Sequence, residues 1–197
     1  NKAVPKIPEQ TLTGVAKKRS EAIFNFTKSY ILALDNIVAG DGLKVRFKDS
    51  VQMVSDMLLD GTKSSGKTIL LSIIGQAAMN RGHSVKFVEW AEYLDRFMTF
   101  EQRDANEQFF QDCLDVDFLI FDSVCDYGIN NNKFFVVQLD RLISSRLNSG
   151  KVTIASIDTS SNTNPVFGMI WNKFTRETFT FKLPEATILN ENKSKRT

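Results

Sequence analysis

The sequence predicts an α/β fold, a parallel sheet of about five strands with helices on both faces. Three observations predict it. Short apolar runs bounded by turn signals alternate with longer stretches of helical periodicity. Two of those runs, 116–121 and 152–157, are apolar almost throughout, as strands covered on both faces are. A Gly-rich segment, Gly61-Thr62-Lys63-Ser64-Ser65-Gly66-Lys67-Thr68, lies between a strand-like and a helix-like stretch.

Residues 1–19 carry Pro5 and Pro8 with little periodicity and read as an extended lead. The chain starts at Asn1 without Met, consistent with a fragment whose N-terminal part is missing. From Ser20, placed to cap a helix, Ala22, Ile23, Phe26, Tyr30, Ile31 and Leu34 recur at helical spacing. Asp41-Gly42 is a turn signal, and residues 43–59 hold short apolar stretches. The last of these, from Met53 to Leu59, reads as one strand feeding the Gly-rich loop. Residues 68–80 follow as a helix closed by Arg81-Gly82. Alternation over 84–89 predicts a strand, and helical patterns follow at 90–98 and 102–114. The strand at 116–121 is interrupted only by Asp117. A helix over 134–147 stops at Ser149-Gly150, and the strand 152–157 leads into a polar loop. A helix at 166–174 and a strand at 177–182 complete a domain read as 20–189, with a polar basic tail at 190–197.

Twenty-five Lys and Arg against 23 Asp and Glu leave a net charge of +2, so any nucleic-acid surface has to be local rather than global. The basic clusters Lys17-Lys18-Arg19 and Lys193-Ser194-Lys195-Arg196 read first as solvated ends and second as binding arms. Cys113 and Cys125 lack CxxC spacing and histidine company, which argues against zinc or a disulfide framework and for reduced thiols in a cytoplasmic protein. No apolar stretch approaches the ~20 residues that span a bilayer.

The segment 61–68 matches G-x-x-x-x-G-K-T, a P-loop. Its glycines let the backbone turn its N–H groups toward phosphates, Lys67 reaches the terminal phosphates, and the Thr68 hydroxyl is placed to ligate Mg²⁺. The next helix offers its N-terminus to the same anion, which makes ATP the expected ligand. About fifty residues on, Phe118-Leu119-Ile120-Phe121-Asp122 ends an apolar strand on an acid, as expected of a Mg²⁺-holding carboxylate beside the P-loop strand. The next residue is Ser123, where a second acid would polarise an attacking water. Ser156 and Asp158, at the exit of 152–157, could sense a γ-phosphate or belong to an ordinary strand exit. Lys173 and Arg176 could reach a neighbouring subunit's nucleotide or be solvated surface cations. His83, the only histidine, reads as structural, and the 16 Phe as core.

From about Phe24 to Lys182 these segments resemble the AAA+ domain of the DnaC/IstB family, the helicase loaders of bacteria and phages and their transposon relatives. Residues 57–68 look like that family's first strand and Walker A. Residues 81–94 look like its second strand and following helix, 115–122 like its Walker B, 150–154 like its sensor strand, and 167–174 like its final arginine-bearing helix. Three positions depart from the family pattern: Ser123 replaces a second acid, Asp158 a sensor Asn, and Lys173 the finger Arg. The resemblance implies a P-loop NTPase of AAA+ type that binds ATP and Mg²⁺ and controls loading of a replicative helicase on single-stranded DNA, with a homo-oligomer as a possible assembly. It further implies that the three departures weaken hydrolysis. Lys17, Lys18, Arg19, Lys44, Arg46 and Lys48 are candidate phosphate contacts only as basic clusters. Two other readings stay open: a nucleotide-binding regulatory adaptor without turnover, and a small P-loop metabolite kinase, which 125–165 disfavours by carrying no arginine-rich lid.

Overall fold

A computed structural model describes residues 14–47, 50–62, 65–98, 103–125, 133–158 and 179–183. Five strands form one parallel sheet: β3 (Met57–Asp60), β4 (Val85–Glu89), β5 (Phe118–Val124), β6 (Val152–Ile157) and β7 (Phe179–Lys182), in the order β4-β5-β6-β3-β7. Helices α3 (Lys67–Asn80), α4 (Trp90–Met98), α5 (Arg103–Asp115) and α6 (Lys133–Asn148) connect them. Ahead of the sheet lie α1 (Gly14–Leu32), α2 (Leu34–Val38) and a two-stranded antiparallel hairpin of β1 (Leu43–Phe47) and β2 (Ser50–Val54).

The two-residue period of the strands divides the apolar side chains between two cores. Met57, Leu59, Phe118, Ile120, Val152 and Ile154 face α1, α2 and α3. Leu58, Leu119, Phe121, Ala155 and Ile157 face α4, α5 and α6. Both faces of the sheet are therefore covered, which is why its strands read as unbroken apolar runs.

Several expectations need correction. The first helix begins at Gly14, not at Ser20, so the boundary between lead and domain drawn at 19/20 falls inside α1. Nothing between Val15 and Leu32 breaks a helix, and Ala16, Lys17, Lys18 and Arg19 are good helix formers. Residues 53–59 are not one strand. The chain turns at Ser55-Asp56, where the Ser55 carbonyl accepts the Tyr30 hydroxyl at 2.5 Å and the buried Asp56 carboxylate accepts the Thr153 N–H at 2.5 Å. Those two long-range bonds fix the kink that separates the hairpin from β3. The strand bearing Asp122 runs on to Val124 and does not adjoin β3, because β6 stands between them. The expected helix at 166–174 lies outside the described residues, as does the tail at 190–197.

At the end of the sheet where β5 and β6 begin, Arg146 is fully buried. Its guanidinium donates to the carbonyls of Cys113, Leu114, Val116, Asp117 and Val152 and to the Thr153 hydroxyl, joining the end of α5 to the starts of both strands. Both cysteines are free, and burial pushes the Cys113 thiol up to about 12. His83 Nε2 lies 2.9 Å from Asp35, which also takes an Arg81 bond at 3.2 Å.

Candidate nucleotide site at the carboxyl edge of the sheet

The Gly-rich segment leaves β3 at the carboxyl edge and enters α3, so the strand and helix flanks expected for it are both present. The Gly61 N–H donates to the Ile157 carbonyl at 3.1 Å, which pins the loop's start to β6. A Cβ on Gly61 would lie 2.7 Å from Ser65 Oγ and 3.0 Å from Leu183 Cβ, so any side chain there would crowd both neighbours. Gly66, the N-cap of α3, has φ +91°, a left-handed turn that presents the helix's first N–H groups toward the loop. Lys63 and Ser64 lie outside the described residues.

Lys67 folds back over the loop. Its ammonium donates to the Gly61 carbonyl, to the Thr62 carbonyl at 2.8 Å and to Ser65 Oγ at 3.5 Å. Burial lowers its pKa, while the nearby carboxylates of Asp158, Asp122 and Asp60 pull it back up. Asp158 thus lies within electrostatic reach of Lys67, as does Asp60, the buried last residue of β3, which the sequence did not single out.

Opposite the loop, the Thr68 hydroxyl donates to Asp122 Oδ2 at 2.7 Å and the Ser156 hydroxyl to Asp122 Oδ1 at 2.5 Å. Asp122 is therefore an oriented acceptor with both oxygens engaged. The Thr68 and Asp122 oxygens suit Mg²⁺, a hard cation that takes oxygen ligands; neighbouring ligands on an octahedron with bonds of ~2.0–2.1 Å sit about 2.9 Å apart. The tight glycine loop, the helix N-terminus and this oxygen pair fit a nucleotide triphosphate with its metal. Thr68 and Asp122 would hold such a metal, whose positive charge would offset that of the phosphates. Lys67 and the loop N–H groups would bind and orient the anion, and Ser156 would hold the Asp122 carboxylate in place.

Lys173 and Arg176 lie outside the described residues, as do Lys48 and the basic tail. Lys17, Lys18 and Arg19 lie on α1, and Lys44 is exposed on β1 with Arg46 two residues on.

The order β4-β5-β6-β3-β7 inserts one strand between the strand leading to the P-loop and the strand bearing the acid. Structural comparison finds similar folds in solved replication proteins. AMPPCP-bound DnaA from Aquifex aeolicus is 14% identical, with 88% of this chain and 48% of that one covered at a TM-score of 0.61. The chain has the AAA+ P-loop NTPase fold. The DnaC helicase loader is 15% identical over 89% of this chain and 94% of its own, at a TM-score of 0.55. DnaI is also 15% identical, over 77% of this chain and 81% of its own, at 0.57. The DnaC-type resemblance noted from the motifs thus holds at the level of the AAA+ fold. The chain spans about half the length of the replication-initiation proteins first matched. No protein-family profile matches the sequence, and no curated protein matches it.

Proposed function

We propose that the chain is an ATP-binding replication factor of helicase-loader type, which uses ATP and Mg²⁺ to control loading of a replicative helicase on single-stranded DNA in the cytoplasm. One observation carries the nucleotide part. The P-loop and Asp122 come from strands separated by β6, yet Thr68 and Asp122 meet at 2.7 Å. The loader part is supported by likeness to DnaC and DnaI over most of this chain and most of theirs. A DnaA structure binds AMPPCP and single-stranded DNA, which supports both ligands by analogy. Among the described residues no helix is long and apolar enough to cross a membrane.

In this reading Gly61, Thr62, Lys63, Ser64, Ser65, Gly66, Lys67 and Thr68 cradle the phosphates. Thr68 and Asp122 hold the metal, and Asp158 and Lys173 respond to the terminal phosphate from the same chain and from a neighbouring copy. A second reading, an adaptor that binds ATP without turning it over, is favoured by Ser123. That residue is exposed and offers a hydroxyl where a general base would stand. Equilibrium binding of a fluorescent ATP analogue tests the shared claim, and absence of saturable binding would defeat both readings. Turnover measured with and without single-stranded DNA separates them. Co-purification with the replicative helicase tests the loader role, and a clean failure would remove it.

A further inference from the structure

Strands β5 and β6 pair in register from Phe118 opposite Val152 to Phe121 opposite Ala155, and then Val124 pairs with Ile157. Between those pairs β5 spends two residues, Asp122 and Ser123, against the single Ser156 of β6. That is a bulge, with one residue too many on the acid-bearing strand. Ser123 takes up the extra length at φ +60°, the only described non-glycine residue with a positive φ. A bulge costs a ladder hydrogen bond, and here the freed Ser123 N–H donates to Ser156 Oγ at 2.7 Å. Ser156 is fully buried, and because it accepts from Ser123 its own proton goes to Asp122 Oδ1, at 2.5 Å.

We infer that Ser156 is a positioning residue whose one hydroxyl clamps the β5 bulge and aims the Asp122 carboxylate at the Mg²⁺ position beside Thr68. The inference rests on the nucleotide–metal reading given above. Aiming follows from the geometry. Asp122 keeps the alternation of β5, in register with Glu89 of β4 and on the same face as Phe118 and Ile120, which is the face toward α3; without the Ser156 hydroxyl its Oδ1 would lose the bond that fixes its rotation. The chemistry is that of an outer-shell partner to a metal ligand, which orients the ligand and completes its hydrogen bonding.

The test uses Ser156→Ala and Ser156→Thr in the full chain, with a fluorescent ATP analogue titrated with MgCl₂ and, separately, in EDTA. Ser156→Ala is expected to need about 10–100 times more Mg²⁺ for half-maximal enhancement, the usual range for an outer-shell loss. Its affinity in EDTA is expected to stay within about twofold, since the phosphate cradle is untouched. Ser156→Thr, which keeps the hydroxyl, restores the Mg²⁺ midpoint. A Ser156→Ala midpoint equal to that of the unsubstituted chain overturns the inference. So does an equal loss in EDTA, which would mark general damage to the site. If the unsubstituted chain binds no nucleotide, the proposed function fails and the metal-aiming role with it. Amide exchange then still decides the clamp: the Ser123 N–H is protected in the unsubstituted chain, and unchanged protection in Ser156→Ala refutes it.

Discussion

Replacing Arg146 by methionine keeps most of the side chain's volume and deletes its donors. The parent guanidinium reaches Cys113, Leu114 and Val116 carbonyls at 2.7, 3.1 and 3.0 Å, Val152 at 2.5 Å, Asp117 at 3.4 Å and the Thr153 hydroxyl at 3.0 Å. Three of those acceptors are at or just past the C-terminal end of α5, where helix carbonyls have no partner of their own. Each orphaned buried acceptor costs about 1–3 kcal/mol. Against this stands relief from burying a cation, whose cost shows in the fall of the Arg146 pKa to about 10 through desolvation. The acceptors remain behind when the cation leaves, so the balance is a loss of about 3–5 kcal/mol. For a domain of this size that is roughly 6–20 °C in Tm. Urea unfolding followed by tryptophan fluorescence, with calorimetry in parallel, measures it; Arg146→Lys, with fewer donors, falls between parent and Met. A loss below about 1 kcal/mol at unchanged m-value would show that desolvation cancels the bonds, and would refute the clip.

Three further predictions follow from the site and its supports. Gly61→Ala forces a Cβ to within 3.0 Å of Leu183 Cβ, which cannot rotate away as the Ser65 hydroxyl can. The strain of about 1–3 kcal/mol should weaken nucleotide binding, and a change below twofold by titration would count against the cradle. For Asp117, burial alone would raise the carboxyl, but hydrogen bonds from Lys151 and Ser84 outweigh it and bring it from 3.8 down to about 2. Its contribution is therefore whole above pH 3.8 and lost as pH falls through about 2. The stability gap between the parent and Asp117→Asn, followed by urea midpoints, should be flat above that range and close below it; a constant gap down to the lower limit contradicts the assignment. At φ +60°, Ser123→Gly should leave stability within about 1 kcal/mol, whereas Ser123→Val should cost about 1–3 kcal/mol. Equal unfolding midpoints for the two variants would rule out the left-handed backbone there.

Most of the sheet was legible because both its faces are covered. Runs such as Phe118-Leu119-Ile120-Phe121 and Val152-Thr153-Ile154-Ala155 leave few alternatives to buried parallel strands. The P-loop was legible because its chemistry demands particular residues at fixed spacing. What the sequence hid was long-range. The break at Ser55-Asp56 depends on Tyr30 and Thr153, and no local signal announces it. Strand order is likewise invisible to periodicity, so the insertion of β6 between the loop strand and the acid strand went unread. Ser156 stood out only as one polar residue at a strand tip, and its partnership with Asp122 needed the pairing of β6 with β5. Asp60 carried no spacing signal at all.

The position of β3 also sets a timetable. Its partners are β6, some hundred residues later in register (Met57 beside Ile154), and β7, later still (Met57 beside Phe179). On a ribosome, the strand that leads into the P-loop emerges first among the five and waits for both neighbours until the rest of the sheet is out. Its pairing is non-local, and contacts of that kind make folding slow. The P-loop follows the first-made strand of the sheet yet is framed by later ones, so the complete cradle arrives as a late product of the sheet's assembly.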